Sequence, residues 1–561
     1  VPILALALGL FSSAQATTYL VGPSQIYQTI NEALSVATNG DRLEVDPGTY
    51  IETLDIDIAV EIVGLSGAGV TILRGTGNVI SVSPFSELTL EGFTLSTTGS
   101  NDRGIDIRNA TATLSNIYIS GFSRNREGAA VRIRDGATVT INDSNFDANE
   151  TEDDGGHIYV SGSTLTISNS DFTDGWAEDG GGIYATTSTL ILTNVTLDGN
   201  AVSNMGGSLV LDESTADIDN SDFYAAEASG GYAGHIYCSE STLNIANTNV
   251  EFGVVETMGG GIYASDSDLV VENTTFYDNE SNGAGGWWTS GGSGGALAVV
   301  DGTLSMNGSL FSANSATVNG GGIYAEGSDV SITATSLTQN EATGSDGYGG
   351  AIFVDDGSLQ LSSSTVSNNT SGYIAGAIRV AGSASLTISG STLSNNQSSD
   401  YGGAIHHGSS GDLTITQSVF ESNTSDVGGA IRWRPNSSSA SASISNSRLK
   451  NNESTDTGGF MAARDGGSLE LLDNSIEGNT ALEGGAFHVQ EMVDVVSRRN
   501  LFCGNSATSG DGGAALLIDV SGGTHSWTNN RLVENSASED GGAISFDDDE
   551  SGDSAEVVNN N

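Results

Sequence analysis

The stretch GGIYATTSTLILTNVTLDGN, residues 181 to 200, holds the unit that the rest of the chain repeats. A small pair is followed by a small residue, an apolar residue and a short alternating run. A second run such as STLIL comes next, and then an apolar-x-x-Asn turn. The opening recurs as GGHIYV (155–160), GHIYC (234–238), GGIYA (260–264 and 321–325), GGAIFV (349–354), GGAIHH (402–407), GGAIRW (428–433) and GGAIS (541–545). The turn recurs at Phe146/Asn149, Phe276/Asn279, Phe311/Asn314, Leu393/Asn396, Phe420/Asn423 and Leu532/Asn535. The small residue after the pair runs from Ala130 to Ala543 in fifteen intervals, a mean period of about 27 residues.

Several solenoids share such a period. A leucine-rich repeat needs a Leu-x-x-Leu-x-Leu frame and usually a helix, whereas each unit here carries two or three short runs of Ile, Val, Leu and Thr. Three short strands and three turns fill about 27 residues, so the fold expected is all-β, a right-handed parallel β-helix. Each coil then stacks on the last at about 4.8 Å, and a position repeated once per coil becomes a ladder. Glycine pairs suit a corner that needs positive φ, or one where a side chain would strike its copy above. Asparagines at the turns can form an amide ladder, pointing inward or outward. Cys238 and Cys503 fall nine coils apart, roughly 43 Å at that spacing, far beyond the reach of a disulfide. Both are expected free, as small buried hydrophobes.

Composition narrows the function. With 17 Lys plus Arg against 70 Asp plus Glu, the net charge is -53, which excludes a nucleic-acid partner. No Lys or Arg lies between Arg134 and Arg379. Residues 1–16, VPILALALGLFSSAQA, are an apolar run ending in Ala-x-Ala and read as an export signal. No later run is long enough for a transmembrane helix. Residues 17–100 read as an N-terminal cap and first coils, with apolar positions at 26, 30, 33, 34 and 37 marking a short amphipathic capping helix. Residues 101–561 are the repeats, and the chain stops where another glycine pair is due, so its C-terminal end is expected to be open or truncated. A monomeric solenoid is expected.

The recurring GGA-[ILV] and F-x-x-N elements resemble the chlamydial polymorphic outer-membrane proteins and other right-handed parallel β-helix proteins of bacterial surfaces. TINEALSVATNGDRLEVDPGTYIE (29–52) resembles the opening of pectinesterase-like and periplasmic copper-associated β-helix proteins. The first likeness implies a passenger domain for adhesion, surface display or matrix formation at a bacterial outer membrane, often followed by a membrane barrel that is absent here. The fold also serves polysaccharide lyases and hydrolases, which makes catalysis the alternative. Against it, the loops between coils are expected to be too short to wall a deep cleft.

Candidate sites follow from the ladder. Tyr159, Tyr184, Tyr237, Tyr263 and Tyr324 take the position after the apolar marker, and alternation turns them outward, where rings can stack on a glycan or meet a surface protein of a host or neighbouring cell. Trp287-Trp288 sit in the longest insertion, flanked by glycines. Acids recur just before the corner, including Asp153, Asp154, Asp179 and Asp540; stacked carboxylates repel, and calcium is the cation that would relieve them. Aligning Ala130 with Ala430 puts Arg132 and Arg134 at the coil positions of Arg432 and Arg434, with Arg379 at the first of these. An enzyme would gather Arg and acidic side chains in one cleft over two or three coils, whereas an adhesin would distribute its ladders.

Overall fold

The computed structural model describes residues 16–283, 291–518, 525–547 and 555–558. Expectations for the export signal and for Trp287 and Trp288 lie outside the described residues.

The chain winds into a parallel β-helix. The coil that starts at Ser208 shows the plan, with strands at Leu209–Asp212, Thr215–Asp219, Asp222–Tyr224 and Glu227–Ala228. Its second strand has the burial pattern exposed, buried, exposed, buried, exposed, so Ala216 and Ile218 point inward while Thr215, Asp217 and Asp219 meet water. Each strand pairs in parallel with its copy in the next coil, as Ala216 with Leu243 and Ile218 with Ile245. Among the described residues the three longer strands of each coil merge into one 55-stranded sheet bent around the core, and the fourth strands, mostly of two residues, form a separate 16-stranded ladder. Sixteen is also the number of glycine-corner markers in the sequence.

The glycine pair splits its two tasks. Gly402 has φ +65, which few other residues tolerate, whereas a Cβ on Gly403 would stand 2.2 Å from the carbonyl oxygen of Gly429 in the next coil.

The asparagines point inward. From Asn279 to Asn535 they form an unbroken amide ladder, in which the Nδ2 of Asn369 donates to Asn396 at 3.0 Å and that of Asn396 to Asn423 at 3.0 Å. The same Nδ2 of Asn396 also donates to the carbonyl of Val366. Burial without these bonds would cost about 1–3 kcal/mol per polar group. Upstream the ladder is interrupted at Gly175, Ala226 and Gly253, and at the two glycines buried histidines take up the room: a Cβ on Gly175 would lie 2.7 Å from the His157 ring, and one on Gly253 2.5 Å from that of His235. His157 Nδ1 meets Asn149 Nδ2 at 2.9 Å and His235 Nε2 meets the Glu251 carbonyl at 2.8 Å. Burial pushes both imidazoles down to about 4.

The N-terminal helix is shorter than expected, spanning Ile30–Leu34, because the Thr29 side chain caps it and Glu32 completes the capping box. Ile30 and Ala33 are buried while Ile26, before the cap, is 90% exposed, so it lies outside the packed stripe. No helix among the described residues is long and apolar enough to cross a membrane. Both cysteines are free; Cys238 is buried, but Cys503 is only half-buried because it occupies an outward position of a third strand.

Candidate functional site

One outward row runs the length of the first strands. In register from coil to coil it reads Asp106, Arg132, Tyr159, Tyr184, Val210, Tyr237, Tyr263, Ala298, Tyr324, Phe353, Arg379, His406, Arg432, Ala462 and His488. The row is an aromatic middle between two basic ends.

The aromatic middle is not the exposed face that alternation suggests. Tyr263 and Tyr324 are only 9% and 4% exposed, and Tyr159, Tyr184 and Tyr237 are half-buried. Tyrosines stack on their neighbours at 5.5 Å, as in Tyr159/Tyr184 and Tyr237/Tyr263. The segments leading into the glycine corners lie over them, with Met258 and Tyr348 joining Tyr263, Tyr324 and Phe353 in a small outer core. Side chains that leave the inner core are thus covered again, and little ring surface is free to meet a ligand.

Near the C-terminal basic end this cover gives way to a groove of about 450 Å³, lined by Tyr401, His406, Arg432, Arg434, Asp456, Arg464, His488 and Gln490 among others. A second hollow of about 310 Å³, around Arg379, Pro435 and Asp465, shares His406 and Arg434 with it. The walls are strand side chains and the segments at Tyr401, Val427 and Thr457, so short loops do build a groove without a long loop to wall it. Arg432 is 8% exposed and has Tyr401 beneath its guanidinium, 5.9 Å from the ring centre. Arg434 and Arg464 share Asp465, and Arg464 reaches Glu491 at 3.9 Å. Neither Arg379 nor Arg432 has an ion-pair carboxylate among the described residues; they spend N–H groups on carbonyls, Arg379 on Val380 and His406, Arg432 on Ala462 at 3.5 Å.

Electrostatics register the shortage of negative charge. Burial, and then the neighbouring Arg434 and Arg464, bring Arg432 down to about 10; burial does the same to Arg379. Burial and the adjacent arginines hold His406 well below its usual range and bring His488 to about 4, so both rings are neutral and the charge of the groove resides in guanidiniums. The Nδ1 of His406 is buried without a hydrogen-bond partner. Asp456 is pushed up by burial and by Asp426. Arg432 faces the larger groove and Arg379 the adjoining hollow, so an anion in either would meet a guanidinium that lacks a carboxylate among the described residues.

The N-terminal basic end is closed. Asp106 takes two bonds from Arg132, at 2.8 and 3.0 Å, and one from Arg134 at 3.2 Å. Arg103 is buried, donating to the carbonyls of Gly128 and Glu127.

The acidic positions form no single centre. Asp153, Asp154 and Asp179 lie on adjacent coils, while Asp540 is exposed at the far end, where its N–H donates to Asp511. Burial first, and then Asp179, Asp153 and Glu178, push Asp154 up to about 7; burial also raises Asp179, which accepts from the Met205 N–H at 2.8 Å. Among the described residues no group of three or more His, Cys, Asp or Glu side chains is placed to hold a metal ion.

Fold and site together define a long parallel β-solenoid with one electropositive groove in an acidic surface. Two overlapping matches to the right-handed β-helix region model, at residues 63–223 and 130–377, span more than half of the sequence, and the chain belongs to that family. Residues 390–408 match the Chlamydia polymorphic membrane protein repeat. No curated protein matches the chain. Among solved structures, a PL6 family alginate lyase shares 14% identity over 94% of this chain and 98% of its own, with a TM-score of 0.29. Pectin methylesterase from Aspergillus niger shares 13% identity over 47% of this chain and 85% of its own, with a TM-score of 0.27. The A-module of a mannuronan C-5 epimerase from Azotobacter vinelandii shares 13% identity over 83% and 93%, with a TM-score of 0.19. Activity is therefore argued from the residues of this chain.

Proposed function

We propose that the protein is an exported, cell-surface or secreted β-helical protein that acts in adhesion or matrix formation by holding an acidic glycan in the groove around Arg432. The observation that carries this reading is the pair Arg379 and Arg432, two guanidiniums without carboxylate partners among the described residues in a chain of net charge -53. A guanidinium buried without a carboxylate carries a desolvation cost that a bound anion would offset. Tyr348, Tyr373 and Tyr401 support a sugar as that ligand. They follow one another along the axis at 5.8 and 6.3 Å and lead to His406 and Arg432, a partly exposed aromatic rail beside the charge. Coil spacing of about 4.8 Å is close to the length of one pyranose unit, so successive sugars can meet successive coils.

Catalysis is the second reading, favoured by the gathering of Arg432, Arg434, Arg464, Tyr401 and Asp456 over adjacent coils, which is the concentration an extracellular polysaccharide lyase requires. Incubation with uronate and sulfated polysaccharides, with and without calcium, separates the two when binding and chain cleavage are scored independently. Binding without an unsaturated product supports the adhesive reading; cleavage replaces it with the lyase, and failure to bind any acidic glycan removes both. In the same screen calcium, as the cation that would screen the Asp153, Asp154 and Asp179 edge, is expected to raise thermal stability while leaving the groove unchanged.

A further inference from the structure

The third strands carry an aromatic trio that neither the groove nor the ladder uses. Tyr224 and Tyr277 face outward on the strands Asp222–Tyr224 and Thr275–Tyr277, 44% and 39% exposed. Between them stands the half-buried ring of Phe252, edge-on to Tyr224 at 5.0 Å and to Tyr277 at 5.5 Å.

Phe252 occupies the bend after the third strand, where φ is positive in coil after coil. The neighbouring coils place Gly199, Ala225, Asp278 and Ala313 there; here a bulky aromatic adopts φ +57. Such a residue is an outlier in the left-handed region, so its backbone is strained.

Beside the trio lies a dimple of about 210 Å³ whose lining includes Asp198, Asp222, Asn249 and Glu251. Registration places Asp198 against Tyr224, and Tyr224 against Glu251, so acid and ring alternate along the axis. Asp222 accepts from Asn249 at 2.7 Å, and none of the three carboxylates has a basic partner among the described residues; the sequence has no Lys or Arg from 135 to 378 to provide one. Burial raises Asp198, with help from Asp174, and Glu251, with help from Asp222, which is the strain of negative charge without a counterion.

We propose that this dimple binds a protonated amino sugar of a glycan, with its ammonium among Asp198, Asp222 and Glu251 and its ring against the Tyr224, Phe252 and Tyr277 trio. Carboxylates beside aromatic faces suit an ammonium ion, which both attract, and aromatic faces suit the C–H surface of a pyranose. A peptide has no place to add as a strand, because these strands lie inside the sheet with both neighbours paired. The site lies eight coils from Arg432, roughly 38 Å at the usual spacing, and has the opposite charge. Either site can therefore fail without the other.

Calorimetric titration of the whole protein with glucosamine oligosaccharides and their N-acetylated counterparts tests this. The expected result is binding of the free amine and at least tenfold weaker binding of the acetylated chain. Phe252→Asn relieves the backbone, so it is expected to raise the melting temperature while weakening binding at least tenfold; Glu251→Gln is expected to weaken binding with little change in melting. Equal affinity for both oligosaccharides, unchanged binding by Phe252→Asn, or equal competition by a lysine oligomer, which would mean charge attraction alone, each overturns the proposal.

Discussion

The two basic ends of the outward row use the same residue types at the same coil positions and reach opposite states. At Arg132 the neighbour in register is Asp106, which accepts from two arginines and closes the cluster. At Arg432 the neighbours in register are His406 and Ala462, and the charge stays open. One acid in the right coil distinguishes a closed ion-pair knot from an open basic groove.

The largest effect is expected on the closed side. Asp106→Asn leaves Arg103, Arg132 and Arg134 near one another without their shared carboxylate, a loss of about 3–5 kcal/mol by analogy with broken buried pairs. Denaturation with hydrogen exchange on the N-terminal coils reads it. Arg432→Gln on the open side is expected to keep or raise stability and to lose the acidic glycan. Equal destabilisation by the two would remove the distinction drawn here.

Transplanting the acid is the next test. His406→Asp puts a carboxylate in register between Arg379 and Arg432, as Asp106 lies beside Arg132. Affinity for a sulfated or uronate probe is expected to fall at least tenfold, about 1.4 kcal/mol, with a higher melting temperature. Retained affinity would show that the ligand does not use this pair.

Acidity acts on the two clusters in opposite directions. Burial alone would raise Asp106, but its bonds to Arg132 and Arg134 hold it at about 2, so its contribution is present above the unfolded value of 3.8 and is lost only as pH falls toward 2. Asp154 runs the other way. Its folded value of about 7 exceeds the unfolded 3.8, so it favours the folded coils in acid and loses that advantage as pH rises through 7. Asp154→Asn is expected to raise melting most at about pH 8, less at about pH 5, and not at all below the unfolded value of 3.8, measured by thermal denaturation. The smallest effect is an expected constancy. With His406 and His488 neutral, affinity in the groove should hold steady between about pH 6 and 8, and a steep titration curve would bring a histidine into the contact.

The coil plan of three main strands and the corner glycines were legible in the sequence because they recur, and recurrence turns a weak local signal into a ladder; the short fourth strand of each coil was not, since a pair of residues carries no alternation. The same recurrence aligned Arg132 with Arg432. What it could not supply was the cover over the tyrosines: alternation says which side of a strand a ring leaves from, and nothing about a corner segment folding back over it, as Met258 and Tyr348 do. The groove escaped notice for a related reason. His406, Arg434, Arg464 and His488 come from different coils, and only the winding sets them around one hollow. The inward turn of the asparagines was equally open until the coil closed, since a turn asparagine has local backbone partners in either direction.

The amide ladder has a mechanical consequence. From Asn279 to Asn535 every side chain grips its neighbour, so a coil at the end cannot peel away without releasing the one beneath, and load on that half is shared like tension on the teeth of a zip. At Gly175, Ala226 and Gly253 the teeth are missing, and a histidine ring wedges the two glycine gaps. A chain stretched between two surfaces would therefore part first around those coils, leaving the basic groove on the half that holds.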